Sequence, residues 1–239
     1  MSINKTQVKQ RFARAKQSYT QQAIAQQKIC DHLYTLTMQH ALFKQVFEIG
    51  CGSGNLTYLL APHAQTYIAN DLYADVKDFL PKDVQTCIGD AEQIDFPQSD
   101  LIVSSSALQW MNLPVVLQKA YDALVNRGWL CVSTFGTKNV QEVKALTGQG
   151  LEYYSKQQLC DVFDQYGFEV LQAEEQILVL EFETPLAVLH HLKETGVTAN
   201  QANFRWTKQS LKRFCEQYQQ RYQNKLTYHP IYLIARRKQ

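Results

Sequence analysis

Short apolar runs alternate with polar stretches of helical periodicity over most of the chain. Val46-Phe47-Glu48-Ile49 is such a run, and it ends in Gly50-Cys51-Gly52-Ser53-Gly54. An apolar run closed by glycines reads as a buried strand entering a tight turn. Asn55 to Ala61 then reads as a helix that Pro62 stops. Thr66 to Asp71, Val84 to Ile88 and Asp100 to Ser106 read as the second to fourth strands, and Trp129 to Phe135 as the fifth. Before the fifth strand, Leu117, Ala120, Tyr121 and Leu124 line one helical face. Asn112 is the expected cap, Pro114 fits the first turn, and Gly128 is the expected stop. Strands alternating with helices from residue 46 to about 182 predict a parallel sheet with right-handed crossovers. Such a sheet takes its ligand at the C-terminal ends of its strands.

The flanks follow other patterns. Residues 5–40 are rich in Gln, Lys and Ala, and Val8, Phe12, Ala15 and Tyr19 recur at helical spacing. A helix placed there can lie across the mouth of the site. Downstream, residues 136–154 read as irregular, and Ser155-Lys156-Gln157-Gln158 matches a capping box opening a helix through Tyr166. Phe168 to Phe182 reads as one long strand or a hairpin. Thr184-Pro185 opens a helix that Gly196 closes, and another runs from about Thr207 to Tyr222. Leu226 to Arg236 reads as a final strand. The expected organisation is one domain over 1–239, with a helical cap at 1–42, a nucleotide-binding core at 43–182, a helical lid at 183–225 and a last strand at 226–239.

Composition narrows the function classes. The net charge of +2 gives no global field for nucleic acid. No stretch approaches the roughly 20 apolar residues of a membrane span, and no signal-peptide pattern opens the chain. The six cysteines are scattered without a C-x-x-C pair, which predicts reduced thiols in the cytoplasm and neither disulfides nor a metal site.

The chemistry concentrates at the first turn. Its spacing is G-x-G-x-G, not the G-x-G-x-x-G of a dinucleotide fingerprint. Glycines permit positive φ and close approach of a ligand to the backbone. Glu48, just before the turn, would repel a pyrophosphate but suits an ammonium or a sulfonium. Those features point to S-adenosyl-L-methionine. Asp71 ends the second strand about 20 residues on, where an acid can take both ribose hydroxyls.

At this point the chain resembles the class I methyltransferases, whose first motif has this form. The resemblance implies an α/β, Rossmann-like fold with a mostly parallel seven-stranded sheet and helices on both faces. It also places Leu72, Asp90, Ala91 and Ser105 beside the cofactor, with Asp90 facing the adenine amino group. Cys51 is then a small packing residue, not a nucleophile.

Four stretches narrow the resemblance further. They are Arg11-Phe12-Ala13-Arg14-Ala15 with Tyr19; Ala107-Leu108-Gln109-Trp110 with Tyr121 and Gly128; Leu192 to Ala199; and Leu226-Thr227-Tyr228-His229 with Ile234-Ala235-Arg236. Together they are similar to the malonyl-acyl-carrier-protein O-methyltransferase family of biotin synthesis. Glu48 and Ser53 stand where many relatives have Asp and Pro. The resemblance implies methyl transfer to the free carboxylate of a malonyl thioester, carried by acyl-carrier protein or coenzyme A, as an early step towards the pimeloyl chain.

A carboxylate is already ionised near pH 7, so no general base is needed. Tyr19, Gln109 and Trp110 are the candidate donors orienting it, with Lys193 or Arg205 as a cation from the lid. Two basic groups are candidates for docking an acidic carrier: Arg11, Arg14 and Lys16, and Lys208, Lys212 and Arg213. At least one of His190 and His191 is expected to face solvent, and Tyr228 and His229 to be structural. A monomer is expected. The competing readings are a methyltransferase for another small carboxylate or a quinone-type ring carbon, and a cofactor-binding subunit without catalysis.

Overall fold

The computed structural model describes residues 24–40, 43–194 and 206–239. These divide into two compact units.

The larger unit comprises residues 26–136, 154–175 and 230–239. Its strands are β1 (Gln45–Ile49), β2 (Thr66–Asp71), β3 (Gln85–Ile88), β4 (Ser99–Ser105), β5 (Leu124–Phe135), β6 (Phe168–Glu175) and β9 (Pro230–Arg237). They form one seven-stranded sheet in the order β3-β2-β1-β4-β5-β9-β6. β1 to β5 run parallel, and β9 is antiparallel to both its neighbours. The sheet is therefore mostly parallel, as expected. The order reverses at β1/β4, which makes that pair of strand ends the natural crevice for a ligand.

Helices cover both faces of this sheet. Leu113, Val116, Leu117 and Ala120 of α3 (Leu113–Ala123) and Leu159 and Phe163 of α5 (Lys156–Gln165) bury one face against Ile102, Leu130, Val132, Leu233 and Ala235. The opposite face, with Cys131, Ser133 and Tyr232, meets α1 (Ile24–His40). There Cys131 meets the Thr37 hydroxyl, and His32 packs edge-on to Tyr232 at 4.6 Å. The Nε2 atoms of His32 and His40 reach Glu174 and Gln172 of β6, each at 2.9 Å.

The smaller unit comprises residues 24–25, 137–153, 176–194 and 206–229 among those described. It holds α4 (Gln141–Thr147), β7 (Leu178–Glu181), α6 (Pro185–Glu194), α7 (Lys208–Tyr222) and β8 (Lys225–Tyr228). β7 and β8 pair antiparallel in their own two-stranded sheet. Buried Glu142 ties α4 to β8, accepting from the Thr227 hydroxyl at 2.5 Å and its N–H at 3.2 Å. Phe214, Tyr218 and Tyr222 stack along one face of α7.

Several local expectations are corrected. The stretch 168–182 is neither one strand nor a hairpin: β6 joins the large sheet and β7 the small one. The final strand is likewise two. It breaks at His229-Pro230, because Pro230 lacks an N–H and His229 is drawn aside. Its Nδ1 accepts from the Lys138 N–H, and its own N–H donates to Asn139. The stretch 136–154 contains a helix, α4. The helix before β5 ends at Ala123, not at Gly128. Asn112 precedes that helix without a side-chain cap; its N–H donates instead to Glu92. The capping box at Ser155 forms as read, and Thr207 and Ser210 form a second.

Candidate active site

The glycine turn lies between β1 and α2 (Asn55–Leu60). Its three glycines all have positive φ, from +54° to +82°. Gly50 is also hemmed in, since a Cβ there would lie 2.5 Å from the Ala107 side chain. Gly52 differs, because a Cβ there would meet nothing within 4 Å. Its backbone borders open space, as close approach of a ligand requires.

The strand ends are stitched together around this turn. Cys51 N–H donates to the Asn70 carbonyl, and Gly89 N–H to the Asp71 carbonyl, each at 2.9 Å. The Asn70 amide spans the carbonyls of Cys87 and Gly89. Ser104 donates to the Ile49 carbonyl at 2.9 Å. β1, β2, β3 and β4 thus present a single braced rim.

Glu48 is 1% exposed. One of its oxygens accepts from both the Thr57 hydroxyl at 2.5 Å and the Tyr67 hydroxyl at 2.8 Å. Burial pushes its carboxyl up to about 7; the two hydroxyls act in the opposite direction and Asp71 adds to the rise. The sequence reading missed Thr57 and Tyr67. One sits on α2 and one on β2, and only their burial shows that each hydroxyl needs a partner.

Asp71 holds the turn in place. One carboxylate oxygen accepts from the Gly52 N–H at 2.9 Å, the other from the Tyr73 N–H at 3.0 Å. Each carboxylate oxygen can accept more than one such bond, so this bracing leaves capacity for hydroxyl donors. Burial raises its carboxyl, and the backbone N–H groups oppose that. Leu72 follows, half-buried. Asp90 accepts from the Glu92 N–H at 3.0 Å. The Ala91 side chain belongs to the core, so only its backbone borders the rim. Cys51 is buried with its thiol pushed up by desolvation, in keeping with a packing role.

Beyond β4 the chain turns sharply at Ser106, whose φ is +56°. Ser105 meets the Ser133 hydroxyl at 3.0 Å and the Cys30 thiol at 3.2 Å. The Gln109 amide donates to the Ser106 carbonyl at 2.5 Å and accepts from Thr134 at 3.4 Å. Trp110 is buried. Glu48, Gly50, Gly52, Gly54, Asp71, Leu72, Asp90, Ala91, Ser105, Gln109 and Trp110 all belong to this larger unit. Lys193 belongs to the smaller unit, exposed on α6. Tyr19, Arg205, Gly196, Arg11, Arg14 and Lys16 lie outside the described residues. In the smaller unit His190 is exposed and His191 is buried, its Nε2 at 2.9 Å from the Tyr228 hydroxyl.

A family profile for a methyltransferase domain matches residues 20–173. The malonyl-acyl-carrier-protein O-methyltransferase of Acinetobacter baylyi is 47% identical, over 99% of this chain and 98% of that protein. The chain belongs to the malonyl-acyl-carrier-protein O-methyltransferase family. The Bacteroides helcogenes member is 36% identical, over 99% of this chain and all of that protein. Among solved structures, the N-methyltransferase NodS of Bradyrhizobium japonicum, in complex with S-adenosyl-L-homocysteine, is similar in fold. Its TM-score is 0.53 at 11% identity, over 88% of this chain and 86% of that one. The chain is a methyltransferase by family.

Proposed function

We propose that this methyltransferase moves a methyl group from S-adenosyl-L-methionine to the free carboxylate of a malonyl group on acyl-carrier protein. The observation that carries this reading is near-full-length similarity to enzymes named for that reaction, together with an intact glycine corner. The product would be a methyl ester, which masks one charged end of the malonyl group. That fits an early step towards the pimeloyl chain of biotin.

The corner fits the cofactor. Gly52 leaves open space at the rim, and the Asp71 carboxylate keeps capacity for hydroxyl donors. The bound cofactor supplies an electrophilic methyl group. Asp71 would hold the ribose hydroxyls and Asp90 the adenine amine, with Leu72 and the backbone of Ala91 as walls. Glu48 would act from behind the turn as a buried negative charge facing a cationic ligand. Because the acceptor is an anion already, the protein's work is alignment and exclusion of water. Tyr19, Trp110 and Arg205 stay as proposed acceptor contacts. Lys193, and the reading of residues 183–225 as a lid, belong to the same proposal. Gln109 stays with them: one N–H of its amide holds the Ser106 turn, and the other is the proposed donor to substrate.

The test is to incubate the protein with S-adenosyl-L-methionine and malonyl-acyl-carrier protein and follow the carrier by intact mass. A gain of about 14 Da, one CH₂ on the ionised acid, on malonyl-carrier but not on acetyl-carrier is expected. Cofactor binding without that gain refutes the reading and favours a small carboxylate or ring-carbon acceptor.

A further inference from the structure

Buried polar side-chain atoms in folded proteins nearly always find a partner, and the exceptions ask for an explanation. Two of the three exceptions described in the larger unit are neutral side chains, one on α1 and one just after β4. They are the amide oxygen of Gln26 and the hydroxyl of Ser106, neither with a hydrogen-bond partner among the described residues. Gln26 is 5% exposed.

Register brings the two to one end of the sheet. On α1, Thr37 meets Cys131 and Cys30 meets Ser105, which in turn meets Ser133. Stepping back along α1 from Thr37 to Cys30 therefore follows β5 forward, from Cys131 to Ser133. Gln26 lies one further turn back, on the face that carries Cys30. Helical spacing carries it past the Ser105 and Ser133 level, towards the end of the sheet where Ser106 and Thr134 continue the strands. The Ser106 N–H still donates to the Ser133 carbonyl at 3.0 Å, which fixes that residue at the strand end. Its positive φ is a conformation a non-glycine residue holds at a cost, and such costs concentrate where function needs them.

Resting on the function proposed above, we infer that Gln26 and Ser106 form a neutral polar clamp for the carboxylate that receives the methyl group. Asp71 and Asp90 mark the β2 and β3 ends for the nucleoside and Ser105 borders the cofactor at the β4 end, so the acceptor meets the methyl group just past Ser105, over the ends of β4 and β5. A carboxylate there needs donors. The Ser106 hydroxyl supplies one. The Gln26 amide supplies another, since its oxygen and nitrogen exchange places by rotation about the last side-chain bond. Neither donor is charged, so the carboxylate keeps its nucleophilicity. Gln109, tied to Ser106 and Thr134, sets the turn that aims the hydroxyl.

The test uses the full chain with Gln26→Met, Ser106→Ala and Ser106→Gly. Methionine keeps the length of the buried side chain, and glycine accepts positive φ, so both are expected to melt no lower than the wild type. Each is expected to raise the KM for malonyl-acyl-carrier protein about tenfold or more, the loss of a hydrogen bond to a charged group. The Kd for S-adenosyl-L-methionine, read by calorimetry, should stay within about twofold. Binding of malonyl-carrier to the S-adenosylhomocysteine complex should weaken in parallel, while binding of acetyl-carrier stays as it was. An unmoved malonyl KM overturns the clamp. So does a loss that falls on cofactor affinity, or lowered melting in both Gln26→Met and Ser106→Gly. If the wild type fails to methylate malonyl-carrier at all, the functional reading falls and the clamp with it. Wild-type turnover with unmoved variants overturns the clamp alone.

Discussion

Glu48→Gln should reverse the usual expectation that removing a buried hydrogen-bonded acid weakens a fold. In the folded protein the Glu48 carboxyl titrates at about 7, against 4.5 for an ordinary carboxyl, chiefly because it is buried. The folded state therefore holds this proton more tightly than the unfolded chain. The stability that follows is fully present below about pH 4.5 and is lost as the pH rises through about 7. At about 1.4 kcal/mol for each tenfold change in proton affinity, the gap corresponds to roughly 3 kcal/mol. Glutamine keeps a carbonyl oxygen for the Thr57 and Tyr67 hydroxyls and never ionises. The assay is urea unfolding of both proteins at about pH 5.5 and about pH 8.5, without cofactor. Near pH 5.5 the variant should already be the more stable by about 1.5 kcal/mol, and near pH 8.5 by about 3.5 kcal/mol, a gap that widens by about 2 kcal/mol between the two. A difference that does not change with pH would refute the reasoning. Cofactor affinity should move the other way, falling in the variant at about pH 8.5, because the charge that faces a cationic ligand has gone.

Other perturbations read different parts of the structure. Gly50→Ala places a Cβ 2.5 Å from the Ala107 side chain at a φ of +70°. It should cost about 2–3 kcal/mol in chemical denaturation. Asp71→Asn keeps an oxygen for the Gly52 N–H but removes the charge and sets its NH2 against the Tyr73 N–H. Calorimetry should show S-adenosyl-L-methionine binding weakened about 10–100-fold, in addition to a loss of about 1–2 kcal/mol of stability with the second acceptor. Burial lowers His191 from 6.5 to about 4, so the folded state resists its protonation. Its contribution is intact above about pH 6.5 and is lost as the pH falls towards 4, so His191→Phe should flatten the stability profile across that window. Tyr228→Phe takes the hydroxyl partner from the buried His191 ring and should cost about 1–3 kcal/mol at neutral pH.

The parallel half of the sheet was legible because its strands are short apolar runs, closed by Gly or Asp in β1, β2 and β3 and by serines in β4. β2 matches its expected bounds, and β1, β3 and β4 differ by a residue at most. The pattern is less informative after residue 168, because pairing there depends on distant residues. Nothing local shows that Glu175 ends a strand of one sheet and Leu178 begins a strand of another. The break at His229-Pro230 carried a visible proline, but its effect rests on Asn139 and Lys138, about 90 residues away. At the site, charged residues beside glycines stood out, whereas Thr57, Tyr67, Gln26 and Ser106 did not. Hydroxyls and amides are common in surface positions, and only burial gives them meaning.

The place of β9 has a consequence for how the polypeptide is made. β6 has β9 as its one neighbour in the sheet, and β9 also covers the open side of β5. A chain leaving the ribosome therefore carries two bare strand edges from the moment β6 emerges until Pro230 to Arg237 follow. The gap between β6 and β9 is 54 residues, Gln176 to His229, several seconds of synthesis at about 5–20 residues per second. During that interval the smaller unit can assemble while the larger one waits. Slow codons in this stretch, or low chaperone supply, should therefore send product into inclusion bodies long before they alter the enzyme that does fold.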